Sequence, residues 1–206
     1  PGGAVLVDAG LPGSAPAIAA FLAAQGLASS ELKAIVLTHH DPDHGGGAAA
    51  LRALTGAPVA IHPHDAPVLA GGFTAAAAKG PWRPATALRR LARLGHELGM
   101  AAMVRLPWPG NPWRRLAPDL LLRDGDLLHG LRVIHAPGHT AGSVALATLE
   151  GALLAGDAVF GDARGGAHFP PPGTALDPAQ ARETARRLVA GGYRALYPGH
   201  GAPVEV

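Results

Sequence analysis

Histidines and aspartates gather at one kind of place in this sequence, the C-terminal end of a short apolar run. This happens four times. Lys33 to Thr38 (KAIVLT) leads into His39-His40-Asp41-Pro42-Asp43-His44, and Leu131 to Ala136 leads into Pro137-Gly138-His139-Thr140. Ala152 to Ala155 is followed by Gly156-Asp157, and Arg194 to Tyr197 by Pro198-Gly199-His200-Gly201. Short apolar runs bounded by glycine and proline read as buried strands. The fold must therefore place its chemistry at strand ends rather than on strand faces. There are no cysteines, which excludes disulfides, thiolate ligands and a cysteine nucleophile. Imidazoles and carboxylates are then the expected ligands for zinc, iron or manganese. The glycines beside them let the backbone turn sharply and approach closely.

The 206 residues suffice for one domain with a sizeable core, and residues 1–206 read as a single domain. Ala4 to Asp8 is a further buried strand, and Pro58 to His62 another. Ser14 is placed to cap a helix that turns Ile18, Phe21 and Leu22 inward and ends near Gly26. GGGAAALRAL after Asp43 reads as a helix whose glycines let its first turn pack closely. Residues 71–118 differ in kind: they hold Trp82, Trp108 and Trp113, many prolines and an arginine cluster. They read as an insertion or lid, with a helix near Ala85 to Leu98. Asp124-Gly125-Asp126 marks a turn, Ser143 to Leu149 and Ala152 to Ala155 a hairpin across Glu150-Gly151, and Pro178 to Ala190 an amphipathic helix. Strands alternating with helices predict sheets covered by helices.

The formal net charge is only +2, and no dense basic stripe of the kind that binds nucleic acid is present. No apolar run approaches the length that spans a bilayer. These features point to a soluble globular protein acting on a small-molecule substrate, with neither nucleic acid nor membrane as partner. The chain opens on Pro1-Gly2-Gly3 with no basic-then-apolar leader, so cytoplasm is expected, with room for residues ahead of Pro1 in the native protein. His62 and His64 read as edge or surface residues. His168 lies in a Gly/Pro-rich loop that can line a pocket, and Tyr193 reads as core. Thr38 and Thr140 are placed to support ligands or simply to end strands.

The four pieces together resemble the metallo-β-lactamase superfamily, whose signature is His-x-His-x-Asp-His followed by a distant His, a distant Asp and a final His. Asp8 in LVDAG matches a strand-end aspartate common in that family. The resemblance covers about residues 4–203 and implies an α/β fold, a four-layer αββα sandwich with a dinuclear site at its loop ends. It implies two divalent metal ions, zinc foremost with iron or manganese as alternatives. It also implies an activated water that attacks a carbonyl-, lactone-, thioester- or phosphate-like centre. Carried over residue by residue, His39 and His139 belong to the first metal. Asp43, His44 and His200 belong to the second, and Asp157 bridges them. His40 falls at a variable position and is not a ligand.

One position departs from the family: Asp41 stands where the second histidine usually stands. As a ligand it adds a third carboxylate beside Asp43 and Asp157, making the first metal a weaker Lewis acid and favouring a harder ion. The expected function is a metal-dependent hydrolase of an ester, thioester or lactone-like small molecule, with Asp43 orienting the nucleophile or moving its proton. Two other readings compete. One is a mononuclear iron dioxygenase using His39, Asp41 and His139; the other is a non-enzymatic member that binds a ligand.

Overall fold

The structure, a computed structural model, describes residues 3–71, 115–171 and 173–205. The expected insertion falls almost wholly outside the described residues, as do its helix and its three tryptophans. The chain divides into two compact units. Among the described residues the first holds 3–71 and 115–121, and the second holds 122–171 and 173–205. No helix among them is long and apolar enough to cross a membrane.

In chain order the first unit comprises β1 (Ala4–Val7), α1 (Ala15–Ala24), β2 (Leu32–Val36), α2 (Pro42–Gly45), α3 (Ala48–Thr55), β3 (Val59–Ile61), α4 (Ala66–Gly71) and β4 (Leu120–Leu121). Its strands form one parallel sheet in the order β1-β2-β3-β4. Parallel neighbours need helical crossovers, and their strands read as near-continuous apolar runs. β2 obeys this, burying Leu32, Ala34, Ile35 and Val36 and exposing only Lys33. Leu22, Leu51 and Leu69 from three helices meet Ile35, Leu37, Val59 and Ile61 in one core.

Three local expectations differ from the structure. Ser14 precedes α1, but its side chain makes no capping bond. A cap oxygen accepts from the second or third helical N–H; Pro16 has none at the second position, and Ser14 itself takes helical angles, φ −72° and ψ −18°, rather than the extended ones of a cap. Phe21 is 64% exposed. The inward stripe runs Ala15, Ile18, Leu22, and Phe21 falls one step round the helix from it. The glycine run after Asp43 does not open a single helix either. Gly46 closes α2 and Gly47 precedes α3. A side chain on Gly46 would run into Pro42 and Pro12, and one on Gly47 into the carbonyl of Ala9. Close approach is thus what these glycines allow, and it presses the loop leaving β1 against the His44 segment.

The second unit comprises β5 (Leu127–Leu128), β6 (Leu131–His135), β7 (Val144–Thr148), β8 (Ala152–Gly156), β9 (Phe160–Gly161), β10 (Ala167–His168), α5 (Pro178–Val189), β11 (Ala195–Pro198) and β12 (Val204–Glu205), with α5 given in chain order among the described helices. Six strands form a mixed sheet in the order β12-β11-β8-β7-β6-β5, and β9 and β10 pair separately. β5 through β8 run as an antiparallel meander, while β11 joins β8 in parallel. The crossover that parallel joining needs is α5. Its buried stripe is Ala181, Thr184, Ala185 and Leu188, one face at helical spacing. Ala185 and Leu188 pack on Ile134, Leu153 and Leu196. Asp177 caps α5 by accepting from Ala179 N at 2.9 Å and Gln180 N at 3.0 Å.

That cap yields a stability prediction. Asp177→Ala should cost about 1 kcal/mol, the usual worth of such a cap. Glu183→Ala, on the exposed face of the same helix, should stay within about 0.5 kcal/mol. Urea midpoints of the two variants test this, and equal shifts would contradict the capping role.

Candidate metal centre

Within the first unit the site is organised by one carboxylate at the end of β1. Asp8 takes a left-handed backbone at φ 62°, which an aspartate adopts more readily than most residues but still at a cost. Its own N–H donates to Val36 O at 2.8 Å, so it continues the β1–β2 ladder and faces the exit of β2. There its oxygens accept from Thr38 N at 2.8 Å and from the Thr38 hydroxyl at 3.0 and 2.9 Å. The second oxygen also accepts from His44 Nδ1 at 2.8 Å. Burial alone would raise the Asp8 carboxyl. The His44 hydrogen bond, the nearby His44 and His39 charges and the Thr38 N–H together hold it below its ordinary value.

These bonds fix two tautomers. The Thr38 hydroxyl has one proton, and it points to Asp8. Its lone pair therefore accepts from His39 Nδ1, 3.0 Å away. His44 Nδ1 carries its proton toward Asp8. In both rings Nε2 is left as the lone-pair nitrogen, the form a metal ligand requires. The two rings lie 4.1 Å apart, tilted by 45°.

The neighbouring carboxylates stand at a characteristic distance. His39 Nε2 is 3.6 Å from Asp41 Oδ2, and His44 Nε2 is 3.7 Å from Asp43 Oδ2. Both gaps are too long for a good hydrogen bond. Two donors each about 2.1 Å from a shared tetrahedral cation stand roughly 3.4 Å apart. His40 behaves differently. Its Nδ1 is 3.0 Å from Asp65 Oδ2 and its Nε2 is 3.5 Å from Asp41 Oδ1. Burial would lower the His40 imidazole, but the Asp65 charge and hydrogen bond, with Asp41 behind them, hold it above its ordinary value.

The second unit presents three more donors. His139 sits on a loop pinned by α5. Leu176 N donates to His139 O and Asp177 N to Gly138 O, each at 2.9 Å. Thr184 Oγ1 donates to Pro137 O at 2.7 Å. Gly138 has φ 128° and lies against the backbone of Ala181, where no other residue fits without displacement. Thr140 N donates to Ser143 Oγ at 3.0 Å, closing the loop from its other side. Asp157 follows β8 directly and is buried. Its Oδ2 is 3.7 Å from His139 Nε2 and 3.5 Å from His200 Nε2. One oxygen nearly equidistant from two imidazoles is the geometry of a shared ligand. The His200 ring stacks on Phe160 at 5.4 Å, and His200 O accepts from Gly161 N at 2.9 Å.

All seven residues singled out in the sequence therefore carry their donors in one of two clusters: His39, Asp41, Asp43 and His44 in the first unit, His139, Asp157 and His200 in the second. Imidazole nitrogens and carboxylate oxygens without sulfur fit zinc, iron or manganese alike. His62 and His64 face one another with ring centres 4.8 Å apart. His168 is exposed and bonds Asp162 at 2.6 Å, and Tyr193 packs against the second-unit core. Asp65 and Ser143 were not anticipated. Asp65 carried a usable signal, since it too follows an apolar strand closely, in HPHD after β3.

The Thr38 hydroxyl, placed between Asp8 and His39, is open to test. Thr38→Val should cost about 1–3 kcal/mol, as expected when a buried hydroxyl is removed from a network. Thr38→Ser, which keeps the hydroxyl, should cost much less. Chemical denaturation of the two variants decides it, and equal losses would count against the hydrogen-bonding role.

Comparison with known proteins agrees with this geometry. Residues 1–200 match the family model described as the metallo-beta-lactamase superfamily. The probable metallo-hydrolase YflN of Bacillus subtilis is 30% identical, across 97% of this chain and 76% of its own length. A hydroxyacylglutathione hydrolase of Cupriavidus taiwanensis is 33% identical over 76% of this chain, and the chain spans only 45% of that relative. The structure of TTHA1623 in a di-iron-bound form is similar with a TM-score of 0.63 and 29% identity, covering 98% of this chain and 83% of the other. The α/β fold expected from the sequence is thus the one its relatives share: the chain belongs to the metallo-β-lactamase superfamily.

Proposed function

We propose that this chain is a metal-dependent hydrolase holding two divalent ions. His39, Asp41 and His139 are the proposed ligands of one ion, and Asp43, His44 and His200 of the other, with Asp157 shared. The observation that carries this reading is the repeated spacing. Four imidazole–carboxylate pairs, two in each unit, stand 3.5–3.7 Å apart, which is the separation of donors sharing a cation. Family membership supports the reading that the two clusters serve one pair of ions. Zinc is the first candidate. The di-iron form of TTHA1623 and the extra carboxylate at position 41 keep iron and manganese as alternatives.

Divalent ions held there would supply Lewis acidity, polarising a substrate oxygen and lowering the pKa of a bound water to roughly 7. The protein supplies orientation. Asp8 and Thr38 hold His39 and His44 with Nε2 outward. Asp43, partly exposed beside His44, takes the proton of the attacking water and delivers it to the leaving group. The proposed substrate is a small ester, thioester or lactone. The relative named hydroxyacylglutathione hydrolase supports a thioester within that class.

Elemental analysis of protein purified without chelators should find two ions per chain. Chelated protein should lose turnover on a panel of thioesters and lactones and regain it with zinc. One iron per chain with oxygen uptake would favour the dioxygenase, and no bound ion would sink both. Asp41→Ala should lose one ion and keep the other, and unchanged metal content would reject Asp41 as a ligand. Metal should also stabilise the fold, by about 2.7 kcal/mol at a hundredfold excess over Kd. A melting temperature indifferent to chelation would speak against sites of useful affinity.

A further inference from the structure

We infer that His40, braced by Asp65, is the positioning residue that makes an aspartate workable at position 41; the inference rests on the metal site proposed above. A carboxylate is a looser ligand than an imidazole in one specific way. An imidazole offers one nitrogen to a cation and is held by the other, as His39 is by Thr38 and His44 by Asp8. A carboxylate turns about a broad, roughly two-fold torsion, so its ligand oxygen stays put only if the other oxygen is held. Asp41 faces a different ring with each oxygen: Oδ2 lies 3.6 Å from His39 Nε2, while Oδ1 lies 3.5 Å from His40 Nε2, an electrostatic contact longer than a good hydrogen bond.

His40 is itself fixed from behind. Its Nδ1 is 3.0 Å from Asp65 Oδ2, and its backbone N–H donates to the same oxygen at 3.2 Å. Asp65 is 1% exposed and is anchored by backbone at both ends, its N–H donating to His62 O and its carbonyl accepting from Val68 N and Leu69 N. The line Asp65–His40–Asp41 therefore runs from the start of α4 to the proposed ligand. All three side chains are buried. It sets a buried ring opposite the second oxygen of Asp41, by an electrostatic contact where Thr38 and Asp8 use hydrogen bonds.

The role predicts a dependence between positions 40 and 41. Zinc affinity of each site is read by chelator competition on the purified chain, in four proteins: unsubstituted, His40→Gln, Asp41→His, and both changes together. Outer contacts of this kind typically govern metal affinity by 10–100-fold. His40→Gln should weaken one site by that factor and leave the other unchanged. In the Asp41→His background the same change should have little effect, because an imidazole there does not need His40. Asp65→Asn should follow His40→Gln in direction, and it replaces that variant if circular dichroism shows the latter unfolded. Equal weakening in both backgrounds would mean that His40 merely supports the fold and would overturn the inference, as would no weakening in either. If the unsubstituted chain binds two ions yet fails this test, only the inference falls. If it binds none, the metal site falls with it.

Discussion

The first unit depends on a single carboxylate placed where two parallel strands end together. Asp8 can accept from Thr38 and His44 at once because β1 and β2 are in register, Val7 opposite Val36. Its N–H extends that ladder by one more bond. The left-handed backbone at Asp8 costs about 1–2 kcal/mol and turns its side chain toward the β2 exit. A neutral amide in the same place would present donors to Thr38 N–H and His44 Nδ1–H as well as an acceptor. The carboxylate only accepts, so it imposes one proton arrangement on everything it touches. Sheet register, loop conformation and imidazole tautomer are thereby joined in one small network.

The second unit reaches the same end by backbone rather than by a side-chain hub. His139 is set by α5, whose capped first turn grips Gly138 and His139 through their carbonyls. His200 is set by β9: Gly161 N–H bonds its carbonyl, Gly201 at φ 90° lies against Gly161, and Phe160 supports the ring. Glycine is required at 138 and 201 for two reasons at once, a positive φ and another backbone at the position its side chain would occupy. His200 remains the most exposed of the donor imidazoles, with 46% of its side chain open. A stacked aromatic is an economical hold for a ring that must also meet solvent.

The strands and their functional ends were legible because short strands of both sheets show as mainly apolar runs and because seven donor residues followed four of them. What was not legible had physical causes. Phe21 falls outside a stripe that helical spacing alone would have included, since a stripe of Ala15, Ile18 and Leu22 already fills the available face. Ser14 reads as a cap, but its own backbone is already helical and Pro16 offers no N–H at the second position. GGGAAALRAL reads as one helix, whereas close contact of Gly46 and Gly47 with Pro12 and Ala9 divides it. Asp65 follows β3 closely, as the donor residues follow their strands. Its tie to His40 spans 25 residues, and no local pattern announces it.

Distance sorts these aspartates into two groups with different work. Asp8 and Asp65 meet imidazole nitrogens at 2.8 and 3.0 Å, within charge-assisted hydrogen-bonding range, and their burial is compensated by those partners. The imidazole contacts of Asp41, Asp43 and Asp157 toward His39, His44, His139 and His200 all fall between 3.5 and 3.7 Å. A carboxylate and an imidazole free to relax toward one another would close that gap, because buried charge gains most from short contact. Both units hold them at the spacing that the proposed cations would take. Asp41 stands between two rings, with one oxygen 3.6 Å from His39 Nε2 and the other 3.5 Å from His40 Nε2. An aspartate in a histidine's place is tolerated there because the surrounding chain has supplied the imidazole one residue earlier.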